Sequence, residues 1–166
     1  VTATWTYDKY TIDYVTAGDA PAGYELPADV ADAIINTEVV IPDWATAAAP
    51  AGYTMKLEVV GAVDGKVYDK DVTVTVTWGY VPYTVTYSYD ATAPAGAVVP
   101  GVENVHIGEV ITLATPAAVD GYEFNGWTVT GATKNGDGTY TVGTENIIAV
   151  GSWTALSTTF KVQRWY

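Results

Sequence analysis

Few residues of this chain are of types that do chemistry, and they do not fall into a constellation. The single histidine, His106, stands in NVHIGEV. Acid–base or metal work there would need partners at motif spacing, and none can be placed, so His106 reads as an ordinary strand or loop residue. Asn135-Gly136-Asp137-Gly138 looks superficially like a calcium loop. Such a loop needs oxygen ligands at alternate positions and a closing Glu, so a hairpin turn is the better reading. The 19 acidic residues are spread, 12 between Thr6 and Trp78 and 7 between Gly79 and Trp153. Glycoside hydrolysis would require two carboxylates at a set spatial separation, and no signature selects a pair. Ser88, Ser152 and Ser157 lack the Gly-x-Ser-x-Gly elbow, and the Gly-rich stretches form no phosphate-cradling motif. Lys56, Lys66 and Lys70 occupy alternating or turn positions that read as exposed, against a buried Lys–Asn cross-link. No enzymatic activity, metal or cofactor is expected.

Aromatic residues are the one enriched class with a use: 13 Tyr, 6 Trp and 2 Phe. Trp44, in IPDWATAAAP, lies in a stretch without strand alternation and is the candidate ligand-binding residue, a platform for a sugar face. Packing is nonetheless the better reading for that ring. For Trp5, Trp78 and Trp153, which end VTATW, VTVTVTW and IIAVGSW, packing is the expectation, each ring burying on the order of 200 Å².

Such rings need elements to carry them. The chain has 166 residues, 49% of them hydrophobic, enough for one or two cores. Abundant Thr, Val and Tyr is strand chemistry. The formal charge of −12 repels nucleic-acid phosphates and anionic membrane surfaces alike. Without cysteine there is no disulfide framework and no thiolate zinc site. No apolar run approaches the roughly 18 residues that span a bilayer, and no signal peptide opens the sequence. The chain as it stands is expected to be soluble, without membrane insertion.

Internal repetition organises the elements. Trp5 and Trp78 stand 73 residues apart, as do Tyr10 and Tyr83, which open YTIDYVTAGDAPAG and YTVTYSYDATAPAG. Trp153 follows Trp78 by 75 residues. The chain therefore reads as residues 1–5, the end strand of a preceding repeat; 6–79, a first repeat domain; 80–155, a second; and 156–166, where FKVQRWY reads as the opening of a following one. Each opening strand alternates, Tyr83, Val85, Tyr87 and Tyr89 sharing one face, the mark of a half-buried strand. Asp64-Gly65 predicts a two-residue hairpin turn, with Asn135 to Gly138 as its looser counterpart. Pro27 to Asn36 places Pro at a helix start and Val30, Ala33 and Ile34 at helical spacing, predicting one short helix in the first repeat. Pro82 interrupts the junction at Gly79 to Pro82, which predicts a short, stiff linker.

In the second repeat, Tyr83-Thr-Val-Thr-Tyr, then Val105-His-Ile-Gly-Glu-Val-Ile-Thr-Leu, then Gly121-Tyr-Glu-Phe-Asn-Gly-Trp resembles the internalin B-repeats, or Listeria–Bacteroides repeats. The closing Gly151-Ser-Trp is similar to the end strands of streptococcal and mucin-binding-protein tandem repeats. The likeness spans about 70 residues of the second repeat and, more loosely, the first, which has Gly52-Tyr53-Thr-Met-Lys-Leu without the Trp. It implies a mainly β (α+β) chain of two tandem small β-grasp-like domains on a bacterial cell-surface adhesin, extracellular and without catalytic residues. The role it implies is a structural stalk or spacer whose partners are neighbouring repeats of the same chain. The alternative is an adhesion module that holds host glycans or surface proteins on an exposed aromatic or β-edge surface.

Overall fold

The computed structural model describes residues 1–157, so FKVQRWY lies outside the described residues. The chain divides into two compact units, Val1–Val81 and the remainder from Pro82, and it is mainly β. The first unit contains β1 (Tyr10–Ala17), β2 (Val30–Ala33), α1 (Asp43–Thr46), β3 (Tyr53–Val60) and β4 (Val72–Tyr80). Its sheet runs β2-β1-β4-β3, with β1 and β4 parallel and the outer pairings antiparallel. The second unit contains β5 (Tyr83–Tyr89), β6 (Glu103–Val105), β7 (Val110–Ile111), β8 (Tyr122–Thr130), β9 (Ala132–Lys134), β10 (Tyr140–Val142) and β11 (Ile147–Ala155). Its main sheet, β6-β5-β11-β8, repeats the order and pairing senses of the first, and β7-β10-β9 forms a small second sheet.

The period-2 pattern explains where each core sits. Successive strand residues face opposite ways, so VTVTVTW sends Val72, Val74, Val76 and Trp78 to one face, where all are buried, and its threonines to the other. Ile12 of β1 and Ala33 of β2 join them, with Val39 and Val67 closing over from the connecting segments. In the second unit Val85, Tyr87, Ile147 and Ala149 pack against Ile111, Tyr140 and Val142 of the small sheet. The Asp64-Gly65 turn forms as expected. Val63 and Lys66 exchange both backbone hydrogen bonds at 2.9 Å, and both turn residues take positive φ, 49° and 73°.

The helix expected over Pro27 to Asn36 is not there. Val30–Ala33 is instead strand β2, antiparallel to β1, and the unit's one short helix is the single turn Asp43–Thr46 behind Pro42. The spacing of Val30, Ala33 and Ile34 suits a helix, but pairing with β1 puts Ala33 into the core at 1% exposure. The Asp29 carboxylate accepts the Tyr14 N–H at 2.7 Å, pinning the segment in place. Sheet pairing has overridden local propensity. Trp5 also departs from expectation. It is 91% exposed, and residues 1–9 form no strand among the described residues; VTATW has no paired neighbour there to close a core around its ring.

One tyrosine in each opening strand ties a long loop to the sheet. Tyr14 accepts the Val40 N–H at 3.1 Å. Tyr87, 73 positions on, accepts the Ala114 N–H at 3.0 Å and donates to Glu103 at 2.9 Å. Burial pushes the Tyr87 hydroxyl above its ordinary pKa, and Glu103 adds to the rise. Tyr87→Phe strands the Ala114 donor and is expected to cost about 1–2 kcal/mol, read as a lowered urea midpoint with unchanged slope.

Among the described residues β3 and β8 each form one edge of the two main sheets, with β2 and β6 at the opposite edges, and β3 and β8 differ. In β8 the pairing passes from Ser152↔Gly126 to Trp153↔Phe124, so Asn125 forms a bulge. β3 pairs with β4 without interruption and carries Lys56 and Glu58 on its exposed face.

Candidate functional site

The feature that both units share most closely is the parallel pair formed by their first and last strands. Ile12↔Val72 to Ala17↔Thr77 are in register in the first unit, and Val85↔Ile147 to Tyr89↔Gly151 in the second. A side-chain clasp opens each ladder. The Thr11 N–H donates to Asp71 Oδ1 at 2.7 Å, and the Thr84 N–H donates to Asn146 Oδ1 at 3.0 Å. A glycine makes room for the clasp. Gly61, at φ 94°, lies so close to the Asp71 carbonyl that a Cβ would come within 2.1 Å of its oxygen, and Gly131, at φ 85°, stands 2.2 Å from the Asn146 oxygen by the same measure. At the far end of the second ladder the Asp90 N–H donates to the Gly151 carbonyl at 3.0 Å, and the Trp153 N–H donates to Thr92 Oγ1 at 2.8 Å. Sequence reasoning missed these glycines and their Asx partners. Superposing the halves would have paired Gly61 with Gly131 and Asp71 with Asn146.

The aromatic residues gather around Trp78 and Trp153. Trp44, on α1, stacks on Trp78 with ring centroids 5.9 Å apart, and Tyr24 meets both rings edge-on. Trp44 is thus half-buried against the core, with one face on Trp78, and keeps part of its surface open. In the second unit Trp127 stacks on Tyr89 at 5.6 Å and donates its Nε1–H to the Ala114 carbonyl at 2.8 Å, while Phe124 lies between Trp127 and Trp153. Among the described residues the buried indole N–H groups of Trp78 and Trp153 have no hydrogen-bond partner. Each such donor costs about 1–3 kcal/mol, so ring packing has to outweigh it.

The cross-strand pairs show how one frame takes two interiors. Leu57 faces Val76 in the first unit, and Trp127 faces Gly151 at the corresponding place in the second. The large ring is matched by the absent side chain. A Cβ on Gly151 would lie 2.7 Å from both Phe124 and Trp127 ring atoms.

His106 sits in the turn before β7, its Nδ1 3.1 Å from the Ile107 carbonyl and its Nε2 3.7 Å from Glu109. Asn135 to Gly138 is the turn between β9 and β10. The Asp137 carboxylate accepts the Thr139 hydroxyl at 2.7 Å and the Thr139 N–H at 3.0 Å, which holds its pKa below the ordinary aspartate value. Thr92 treats Asp90 in the same way. A depressed carboxylate stabilises the fold above its unfolded pKa, about 3.9, and that contribution is lost as pH falls through the lower folded value. The melting-temperature gap between wild type and Asp137→Asn is therefore expected to narrow between about pH 5 and about pH 2, as followed by circular dichroism. Among the described residues no group of three His, Asp or Glu side chains is placed to hold a metal ion, and no helix is long and apolar enough to cross a membrane.

No protein-family model and no curated protein matches the chain. Among solved structures it is similar to Streptococcal High Identity Repeats in Tandem (SHIRT) domains 3–4 from a cell surface protein. The two share 16% identity over 90% of this chain and 99% of that one, with a TM-score of 0.37.

Proposed function

We propose that the chain is a spacer region of a bacterial cell-surface adhesin, two tandem modules that supply reach outside the cell and carry out no catalysis. The observation that supports this reading is the parallel pairing of first and last strands in both units. Antiparallel terminal strands would bring the chain in and out at the same end of a unit. A parallel pair brings it in where the ladder starts and out where the ladder finishes, roughly 20 Å on for six residue pairs. Each repeat then adds length, and each closes its own core. Doubling the segment 10–157 within one chain tests the reading. The maximum dimension from small-angle X-ray scattering is expected to rise in near proportion to the number of units. A rise only as the cube root of mass would remove the spacer role.

A second reading rests on the open part of Trp44: the ring contributes to a surface that holds host glycan or protein. Glycan-array binding that disappears in Trp44→Ala, with the fold retained by circular dichroism, would support it; no binding would remove it.

A further inference from the structure

We infer that each unit is a shear clamp, built so that tension along the chain loads its whole parallel ladder at once. This deepens the spacer reading and rests on it for its biological purpose, though the mechanics stand on the strand pairing alone. Tension pulls β1 back toward its N-terminus and β4 forward toward its C-terminus. The strands are parallel and adjacent over Ile12↔Val72 to Ala17↔Thr77, so these pulls run in opposite directions along the ladder. No hydrogen bond can give way before its neighbours. In the second unit β5 and β11 are placed the same way over Val85↔Ile147 to Tyr89↔Gly151.

Three further features suit that load. Both ladders lie in the middle of a four-stranded sheet, flanked by β2 and β3 or by β6 and β8. Ile12, Val72, Val74 and Val76 are 0% exposed beneath the first ladder, as are Val85, Ile147 and Ala149 beneath the second, so water does not reach that face to replace a broken bond. The clasps Thr11–Asp71 and Thr84–Asn146 bridge strand to strand where the first strand is pulled, and Thr92 bridges to Trp153 at the other end of the second ladder. Each adds a side-chain bond in line with the backbone ladder. Antiparallel pairs such as β3–β4 are different: Tyr53 and Tyr80 are opposite one another, and pulling those ends apart opens one pair at a time.

Single-molecule force spectroscopy on the full chain separates the two geometries. The protein has no cysteine, so introduced thiols give unique handles. Handles at Lys9→Cys and Val81→Cys load the β1–β4 ladder in shear, and handles at Thr54→Cys and Val81→Cys peel β3 from β4. Shear is expected to need severalfold higher force than peeling and to end in one abrupt extension. Asp71→Ala should lower the shear force read between the handles at 9 and 81, whereas Asp71→Asn, which keeps an acceptor as Asn146 does, should retain most of it. Equal forces in the two geometries, or gradual extension under shear, would overturn the clamp. A chain that resists shear but fails to lengthen with added units keeps the clamp and loses the spacer role; one that lengthens yet yields equally in both geometries loses the clamp alone.

Discussion

Gly131→Ala is expected to unfold the second unit by denaturant or heat under conditions where wild type remains folded, a loss of at least about 3 kcal/mol. Two effects add. At φ 85° any side chain strains the backbone, and here the new Cβ would lie 2.2 Å from the Asn146 carbonyl oxygen and 3.2 Å from Ile147 Cα. These are backbone atoms, so relief requires shifting the start of β11, and with it the Asn146 side chain that accepts the Thr84 N–H. A unit of this size holds only about 4–11 kcal/mol in total. Gly61→Ala should do the same to the first unit through Asp71 and Val72. Gly101→Ala is the control: nothing lies within 4 Å of the added Cβ and φ is not positive, so a change within about 0.5 kcal/mol is expected. Equal effects at positions 101 and 131 would show that the close approach does not matter.

The other large effect lies in the core of the second unit. Gly151→Val drives new atoms into Phe124 and Trp127 and should cost about 2–3 kcal/mol by overpacking. Trp127→Leu empties the same space, unstacks Tyr89 and strands the Ala114 carbonyl, costing about 3–4 kcal/mol. The double variant rebuilds the Leu57/Val76 pair of the first unit, so its loss should fall short of the sum of the single losses by about 1–2 kcal/mol. The restoration is partial, because leucine cannot donate to Ala114. Additive losses in a double-mutant cycle would mean that the two sites do not share one volume.

Much of this frame was legible because strand pairing leaves a period of two and duplication leaves matched offsets. Val72, Val74, Val76 and Trp78 announce a buried face by alternation alone, and Asp64-Gly65 announces its turn through the φ that both residues accept. The departures have physical causes. Val30 and Ala33 carry a helical spacing that a four-residue strand is too short to contradict, and only the distant β1 decides the matter. Trp5 ends a strand-like run, but burial depends on neighbours, and among the described residues VTATW pairs with none. Trp44 looked like a loop residue because one helical turn behind Pro42 leaves no periodicity. The ring's fate turns on Tyr24 and Trp78, 20 and 34 positions away. Gly61 and Gly131 were invisible singly, since a glycine says nothing of the backbone passing beside it.

The unlike edges of the two main sheets bear on how such chains behave when crowded. A bare, straight strand edge is a template on which another molecule can polymerise. Strand β8 escapes through the kink at Asn125, which spoils its register for an incoming partner. Strand β3, with no kink, keeps Lys56 and Glu58 hydrated on its exposed face, and these must lose water before a foreign strand can dock. At these two edges, resistance to strand addition at high local density thus rests on a distortion in one sheet and on two ionic side chains in the other.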